Sequence, residues 1–186
     1  VAWGDMGGDG DLDLAVANAT TVDQVFENSG SSLPTNHVAT WWSPQSEDSS
    51  AAAWGDFDGD GFQDLLLAGD GRSDRVYRYD NGGLTEVWNS PAPHRAARDA
   101  AWADMDGDGD LDLLVANSNQ KYKLYRNLAG TDLDEQFESA LTYLAEAIVP
   151  ADVDADGDID LVLANQGGRL ELHRSFRIGS HRVAQN

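Results

Sequence analysis

The sequence predicts an all-β chain: a β-propeller of four-stranded antiparallel blades. Four blades are present, either as a closed four-bladed ring or as part of a larger propeller. Three observations predict it. One unit recurs four times along the 186 residues, each copy carries four strand signals, and each sets an aspartate-rich loop between its first two strands.

The repeat is fixed by its register. The first loop aspartates are Asp5, Asp56, Asp104 and Asp152, separated by 51, 48 and 48 residues. A second landmark (Phe26, Tyr77, Tyr125, His173) lies 21 residues beyond the first aspartate of each copy. The front of the unit therefore has constant length, and the three extra residues of the first copy fall after Phe26. The blades span approximately 1–47, 48–96, 97–145 and 146–186. A solenoid coil is shorter, about 20–30 residues, and a sandwich has no need of such a register.

Within a copy, the first strand is a run of small residues, such as Ala51-Ala52-Ala53-Trp54. The second is continuously apolar: Leu14–Ala17, Leu65–Ala68, Leu113–Ala116 and Leu161–Ala164. Such runs fit strands buried on both faces. The third alternates, as in Arg75–Tyr79, and turns at Asn81-Gly82-Gly83; the fourth is looser, as in Leu84–Trp88. The spacing over Leu133–Glu146 also permits a helix, and the tail Arg174–Asn186 is expected to supply the last outer strand. The chain opens directly on a first strand at Val1, which reads as a processed product or a piece of a longer chain. Trp3, Trp54 and Trp102 stand two residues before their loops and read as packing residues between blades. Trp41, Trp42 and Trp88 fall in the variable outer strand, where packing and sugar stacking compete. His173 fills the aromatic slot as a packing substitute, and His37, His94 and His181 have no metal-like spacing.

Composition narrows the chemistry. Twelve Lys+Arg against 33 Asp+Glu leave a net charge of −21, which repels a phosphate backbone and argues against nucleic-acid binding. Of the acids 26 are Asp and 7 are Glu, and Asp favours turns over helices. No apolar run approaches the ~18 residues of a membrane span. There is no cysteine, so disulfides, thiolate metal sites and thiol nucleophiles are absent. No Gly-x-Ser-x-Gly, His-Glu-x-x-His or phosphate-binding loop occurs, and no catalytic residue is assigned.

The third loop, Asp104-Met105-Asp106-Gly107-Asp108-Gly109-Asp110-Leu111-Asp112, has carboxylates at positions 1, 3, 5 and 9 and glycine at 6. So many negative charges in so short a loop require a neutralising cation. Alternate carboxylates converge as the loop curls, and the glycine permits the turn that brings the position-7 carbonyl inward. Oxygen ligands without His or Cys select Ca²⁺ over zinc or copper, and Mg²⁺ prefers to keep its waters. The pattern repeats in Asp56, Asp58, Asp60, Asp64 and in Asp152, Asp154, Asp156, Asp160, with carbonyls expected from Phe62, Asp110 and Asp158. Loop 1 keeps Asp5, Asp9 and Asp13 with an Asp11 carbonyl, but Gly7 replaces the position-3 acid. Up to four Ca²⁺ are expected, with site 1 the weakest. An EF-hand would need an acid at position 12, where Val16, Leu67, Val115 and Leu163 stand instead.

These residues carry a resemblance. The Asp-x-Asp-x-Asp-Gly-x-x-Asp loops, the apolar strand closing in Ala-Asn, and the later Leu124-Tyr125-Arg126-Asn127 make the unit similar to the FG-GAP/VCBS repeat, the blade of integrin-α-like propellers. The resemblance implies that each loop is a Ca²⁺-holding hairpin between the first two strands of a blade. It also implies an extracellular or cell-surface protein acting as a structural, adhesion or assembly module without catalysis. A protein or glycan ligand is expected, with self-association into a larger ring or polymer as a further possibility. A carbohydrate-binding, lectin-like propeller and a non-catalytic part of a polysaccharide-acting enzyme are the alternatives.

Overall fold

A computed structural model of the chain describes residues 1–28, 30, 33, 38–46, 48–80, 82–91, 96–139 and 143–173. These residues form fifteen strands and no helix. The first sheet comprises β1 (Ala2–Gly4), β2 (Asp13–Val16), β3 (Val22–Phe26) and β4 (Trp41–Ser46). The second comprises β5 (Ser49–Gly55), β6 (Asp64–Gly69), β7 (Arg75–Tyr79) and β8 (Leu84–Asn89). Next come β9 (Ala97–Ala103), β10 (Asp112–Gln120), β11 (Lys123–Asn127) and β12 (Leu133–Glu138). The fourth sheet holds β13 (Tyr143–Ala151), β14 (Asp160–Asn165) and β15 (Arg169–His173). Each sheet is an antiparallel meander in chain order, and the long β10 and β13 also touch at Ser118↔Leu144 and Gln120↔Tyr143. The expected last strand in Arg174–Asn186 lies outside the described residues, as do His37, His94 and His181.

The chain is all-β, and its sheets are the blades of a propeller. Strand periodicity gives each sheet two apolar faces, and the sheets stack so that neighbours share one core. Between sheets one and two lie Ala15, Val25, Leu65, Leu67 and Tyr77. Leu66, Val76, Leu113, Val115 and Tyr125 fill the second seam, and Leu114, Leu124, Ile148, Leu161 and Leu163 the third. The inner blades are therefore buried on both sides: every residue of β6 is buried, as its apolar run predicts. β2 belongs to an end blade and alternates buried with half-buried. Trp3, Val149 and Leu172 remain 55%, 53% and 44% exposed. Among the described residues the outward faces of the first and fourth sheets are thus partly exposed, and these sheets do not close into a ring.

The seams explain three sequence features. Trp54 and Trp102 lie across the first strand of the preceding blade, over Gly4 and Gly55. A Cβ on Gly55 would sit 2.6 Å from Trp102 Cδ1, and one on Gly4 would overlap the Trp54 ring. Trp41 and Trp88 do the reverse, reaching forward over the next blade. Their rings meet Tyr77 and Tyr125 edge-on at 5.0 and 5.3 Å, and their indole N–H groups donate to the Leu84 and Leu133 carbonyls at 3.2 Å. His173 takes the same slot in the last blade, edge-on to Tyr122 at 5.5 Å. Of the outer-strand tryptophans only Trp42 is exposed, at 46%.

The helix permitted over Leu133–Glu146 is not formed. The segment supplies β12 and the start of β13 instead, with 140–142 outside the described residues. Its helical spacing has a β origin: the β11–β12 register shifts between Leu124 and Tyr125. That bulge turns Leu133 toward the second blade and Phe137 toward the fourth, so both apolar residues are used, on opposite faces.

Because Gly55 has no room for a Cβ, Gly55→Ala should destabilise the chain by about 1–3 kcal/mol. Urea denaturation should also show that Trp102→Ala makes the Gly55→Ala substitution nearly free; additive losses would contradict the contact.

Candidate metal centres

The four loops share one set of turns. The position-1 carboxylate accepts backbone N–H bonds from the far side of the loop. Asp9 and Gly10 donate to Asp5 at 3.0 Å each, Asp108 and Gly109 to Asp104 at 3.1 and 3.0 Å, and Asp156 and Gly157 to Asp152 at 3.2 and 3.0 Å. Gly61 donates to Asp56 at 3.0 Å. The position-5 carboxylates, Asp9, Asp60, Asp108 and Asp156, then accept from the amides of Asp11, Phe62, Asp110 and Asp158 at 2.9–3.1 Å. This fixes the residues from which inward carbonyls are expected. Glycine at position 6 carries the left-handed turn, with φ of 91–98° in all four copies. Position 4 is left-handed too, and in the fourth loop Ala155 adopts it at φ 61°, a conformation costly for a residue with a Cβ.

The position-9 aspartates take a second role. Asp13, Asp64, Asp112 and Asp160 are at most 2% exposed. One carboxylate oxygen accepts the amide of loop position 2, at 2.8–3.1 Å in the four copies. In the first three copies the other oxygen accepts an amide at or just past the end of the third strand, from Asn28, Tyr79 or Asn127, at 2.8–2.9 Å. Each such carboxylate staples its loop to a strand two removed. Burial pushes the Asp64 and Asp112 carboxyls up to about 6, more than the two N–H bonds pull them down, and it raises Asp13 as well.

Three of the four loops gather their carboxylates. One oxygen each from Asp56, Asp58 and Asp64 lies within 4.8 Å of the others; so it is for Asp104, Asp106 and Asp108, and for Asp152, Asp154 and Asp160. Among the described residues loop 1 forms no such group, Gly7 standing where the others have their position-3 acid. The donor set is oxygen-only, and Asp56 Oδ1 is a buried oxygen with no hydrogen-bond donor. Those features fit a hard divalent cation.

Cationic side chains to which the repeat pattern gave no role approach the same groups. Arg126 reaches back from β11 to Asp106 through Nε at 2.8 Å and to Asp108 through Nη2 at 3.0 Å. Arg78, at the same repeat position, stands 3.6 Å from Asp58. The first copy has Glu27 there, so the loop without the position-3 acid is also the loop without the arginine. Burial, then the charge of Asp108, raises the Asp106 carboxyl; the Asp110 amide and then Arg126 lower that of Asp108. The visible signal was recurrence at this position, 22 residues after the first aspartate. Neighbouring blades also brace the loops: Gln63 Oε1 accepts the Asp5 amide at 3.0 Å, and Asn127 Nδ2 donates to the Phe57 carbonyl at 2.8 Å.

Comparison with known proteins agrees with this architecture. The FG-GAP-like repeat family matches residues 5–67, 56–115 and 104–163 in overlapping pairs of loops. No curated protein sequence matches the chain. Among solved structures it is similar to the β-propeller BBS1N, in a crystal structure of BBS1N in complex with ARL6DN soaked with lead. The TM-score is 0.67 at 13% identity, over 97% of this chain and 55% of that one, so the chain spans about half the length of that propeller.

Two outcomes follow from the buried aspartates. Asp112→Asn puts an amide N–H₂ against a backbone donor and should cost about 1–3 kcal/mol, whereas Asp110→Asn should change urea stability little. Without divalent cation, the folded state holds extra protons on Asp64 and Asp112 between their ordinary range near 3.8 and about 6. Stability should therefore fall as pH rises through that window. A melting temperature in chelator that climbs from pH 4.5 to 6.5 would contradict the burial effect.

Proposed function

This chain belongs to the FG-GAP-like repeat family, and on that premise we propose that it is a calcium-stapled, non-catalytic propeller module. It works outside the cell or at its surface, offering blade surfaces to a protein ligand in adhesion or assembly. The observation that carries the reading is the convergence of three carboxylates in each of loops 2, 3 and 4, in a chain of net charge −21 with no thiol ligand. Asp56, Asp58 and Asp64 would hold one ion, Asp104, Asp106 and Asp108 a second, and Asp152, Asp154 and Asp160 a third. Loop 1, through Asp5, Asp9 and Asp13, would hold a fourth most weakly.

The ions would act on stability. Four Ca²⁺ would bring the formal charge from −21 to −13, and the carboxylates converge only when the hairpins are folded. Binding energy is then folding energy. A calcium-rich environment such as the extracellular space would keep even weak sites of this kind filled, which supports the location proposed. A sugar-binding reading loses support from the burial of Trp88 and the seam contacts of Trp41.

Calcium should raise the melting temperature of chelator-treated protein. Each site held at about a hundred times its Kd adds about 2.7 kcal/mol, or about 5–10 °C for a chain of this length. Calorimetric titration should find the Asp108→Ala variant short of one strong site and Asp9→Ala short of a weak one. An unchanged melting temperature after verified metal removal and calcium return would sink the proposal.

A further inference from the structure

Every carboxylate oxygen of the third loop's converging trio has a partner, and two of them share one. Asp104 Oδ1 accepts the amides of Gly107 and Asp108, and its Oδ2 accepts that of Gly109. Asp106 Oδ1 and Asp108 Oδ1 accept the amides of Asp108 and Asp110 at 3.2 and 3.1 Å. The remaining oxygens, Asp106 Oδ2 and Asp108 Oδ2, both face Arg126, at 2.8 Å from Nε and 3.0 Å from Nη2. The guanidinium thus spans the two oxygens that the loop's own backbone leaves uncommitted.

Loop 2 is built differently. Arg78, at the same place in the repeat, makes one longer contact, 3.6 Å from Asp58 Oδ2. Asp56 Oδ1 is buried there with no donor. Loop 1 has Glu27 at this position, and in the fourth copy it falls on Arg174, outside the described residues.

An ion drawing on Asp104, Asp106 and Asp108 must share oxygens with the turn's amides or take two from Arg126. The amides are fixed by the turn. The arginine is a long, flexible side chain, 39% exposed, and can swing into water with its charge solvated. The Asp106 side chain is only 5% exposed, and a carboxylate so covered needs a cation beside it. One cation can therefore replace the other, but both cannot hold the same two oxygens.

We propose that Arg126 is the resident counter-cation of loop 3, which a divalent ion must displace from Asp106 and Asp108, so that this residue lowers the loop's calcium affinity. The inference rests on the calcium reading above and adds to it the group that competes with the ion.

The test is a calcium titration of the whole chain followed through the backbone amides of Gly61, Gly109 and Gly157. Each donates to the first aspartate of its own loop, so its nuclear magnetic resonance shift reports loop 2, 3 or 4 separately. Arg126→Gln should fill loop 3 at about tenfold lower calcium than wild type, the scale of two partly exposed charge-assisted pairs that need no longer be broken. Gly61 and Gly157 should titrate as before. Arg126→Lys keeps the charge but cannot fork over two carboxylates; it should fall between, and it carries the comparison if the glutamine variant folds poorly. Arg78→Gln should move loop 2 less than Arg126→Gln moves loop 3. In chelator Arg126→Gln should melt below wild type, and added calcium should close the gap. An arginine that held ion-loaded carboxylates in place would instead make Arg126→Gln bind more weakly at loop 3. That result, or an unchanged Gly109 titration, overturns the displacement while leaving the calcium sites standing. Wild type whose three glycine amides ignore calcium removes the calcium reading itself and the displacement with it.

Discussion

A four-stranded blade has two apolar faces and cannot bury either of them alone. The packing of this chain follows from that constraint. The second strand of each copy is apolar throughout because, in an inner blade, both its faces meet a neighbour: Leu65 and Leu67 point to one seam, Leu66 to the other. The first strand is built of small residues because the next blade lays an indole against it. Trp41 and Trp88 in the outer strands lean forward over the following sheet, where a T-shaped ring pair with a satisfied indole N–H fills the seam.

The loops obey a second constraint, electrostatic rather than steric. Their aspartates are hydrogen-bonded before any ion is considered. Position 1 caps the far amides, position 5 closes the turn, and position 9 is buried as a two-oxygen staple between loop and strand. The same geometry that satisfies these amides crowds the remaining carboxylate oxygens together. Crowding explains why Arg126 and Arg78 bend toward loops 3 and 2, and why an oxygen of Asp56 has no donor. Position 9 thus lies between two roles, structural acceptor and member of the carboxylate group. Asp64 and Asp160 join theirs, while in loop 3 Asp108 takes that place.

Much of this was legible from residues alone. Repeat register located the loops, and an apolar run followed by Ala-Asn located the second strands. The in-register Trp3, Trp54 and Trp102 pointed to seams. Other features were hidden for definable reasons. Leu133 and Phe137 have helical spacing, and only the bulge between Leu124 and Tyr125 shows that they serve two cores. Trp41 and Trp88 sit in a variable strand whose register no repeat fixes, so their burial against Tyr77 and Tyr125 depends on the neighbouring blade. Arg126 lies 18 residues from Asp108 in sequence, and no local pattern joins them.

Strands, turns and the oxygen-donor character of each loop can be read from the sequence, because those depend on side-chain alternation, glycine at a left-handed position and the chemistry of carboxylate oxygen, all local properties. Tertiary structure decided which carboxylates converge, which aspartates are buried staples, which tryptophans are covered and which faces remain open. These depend on how one sheet lies against the next, a relation between atoms about 50 residues apart that only packing can set.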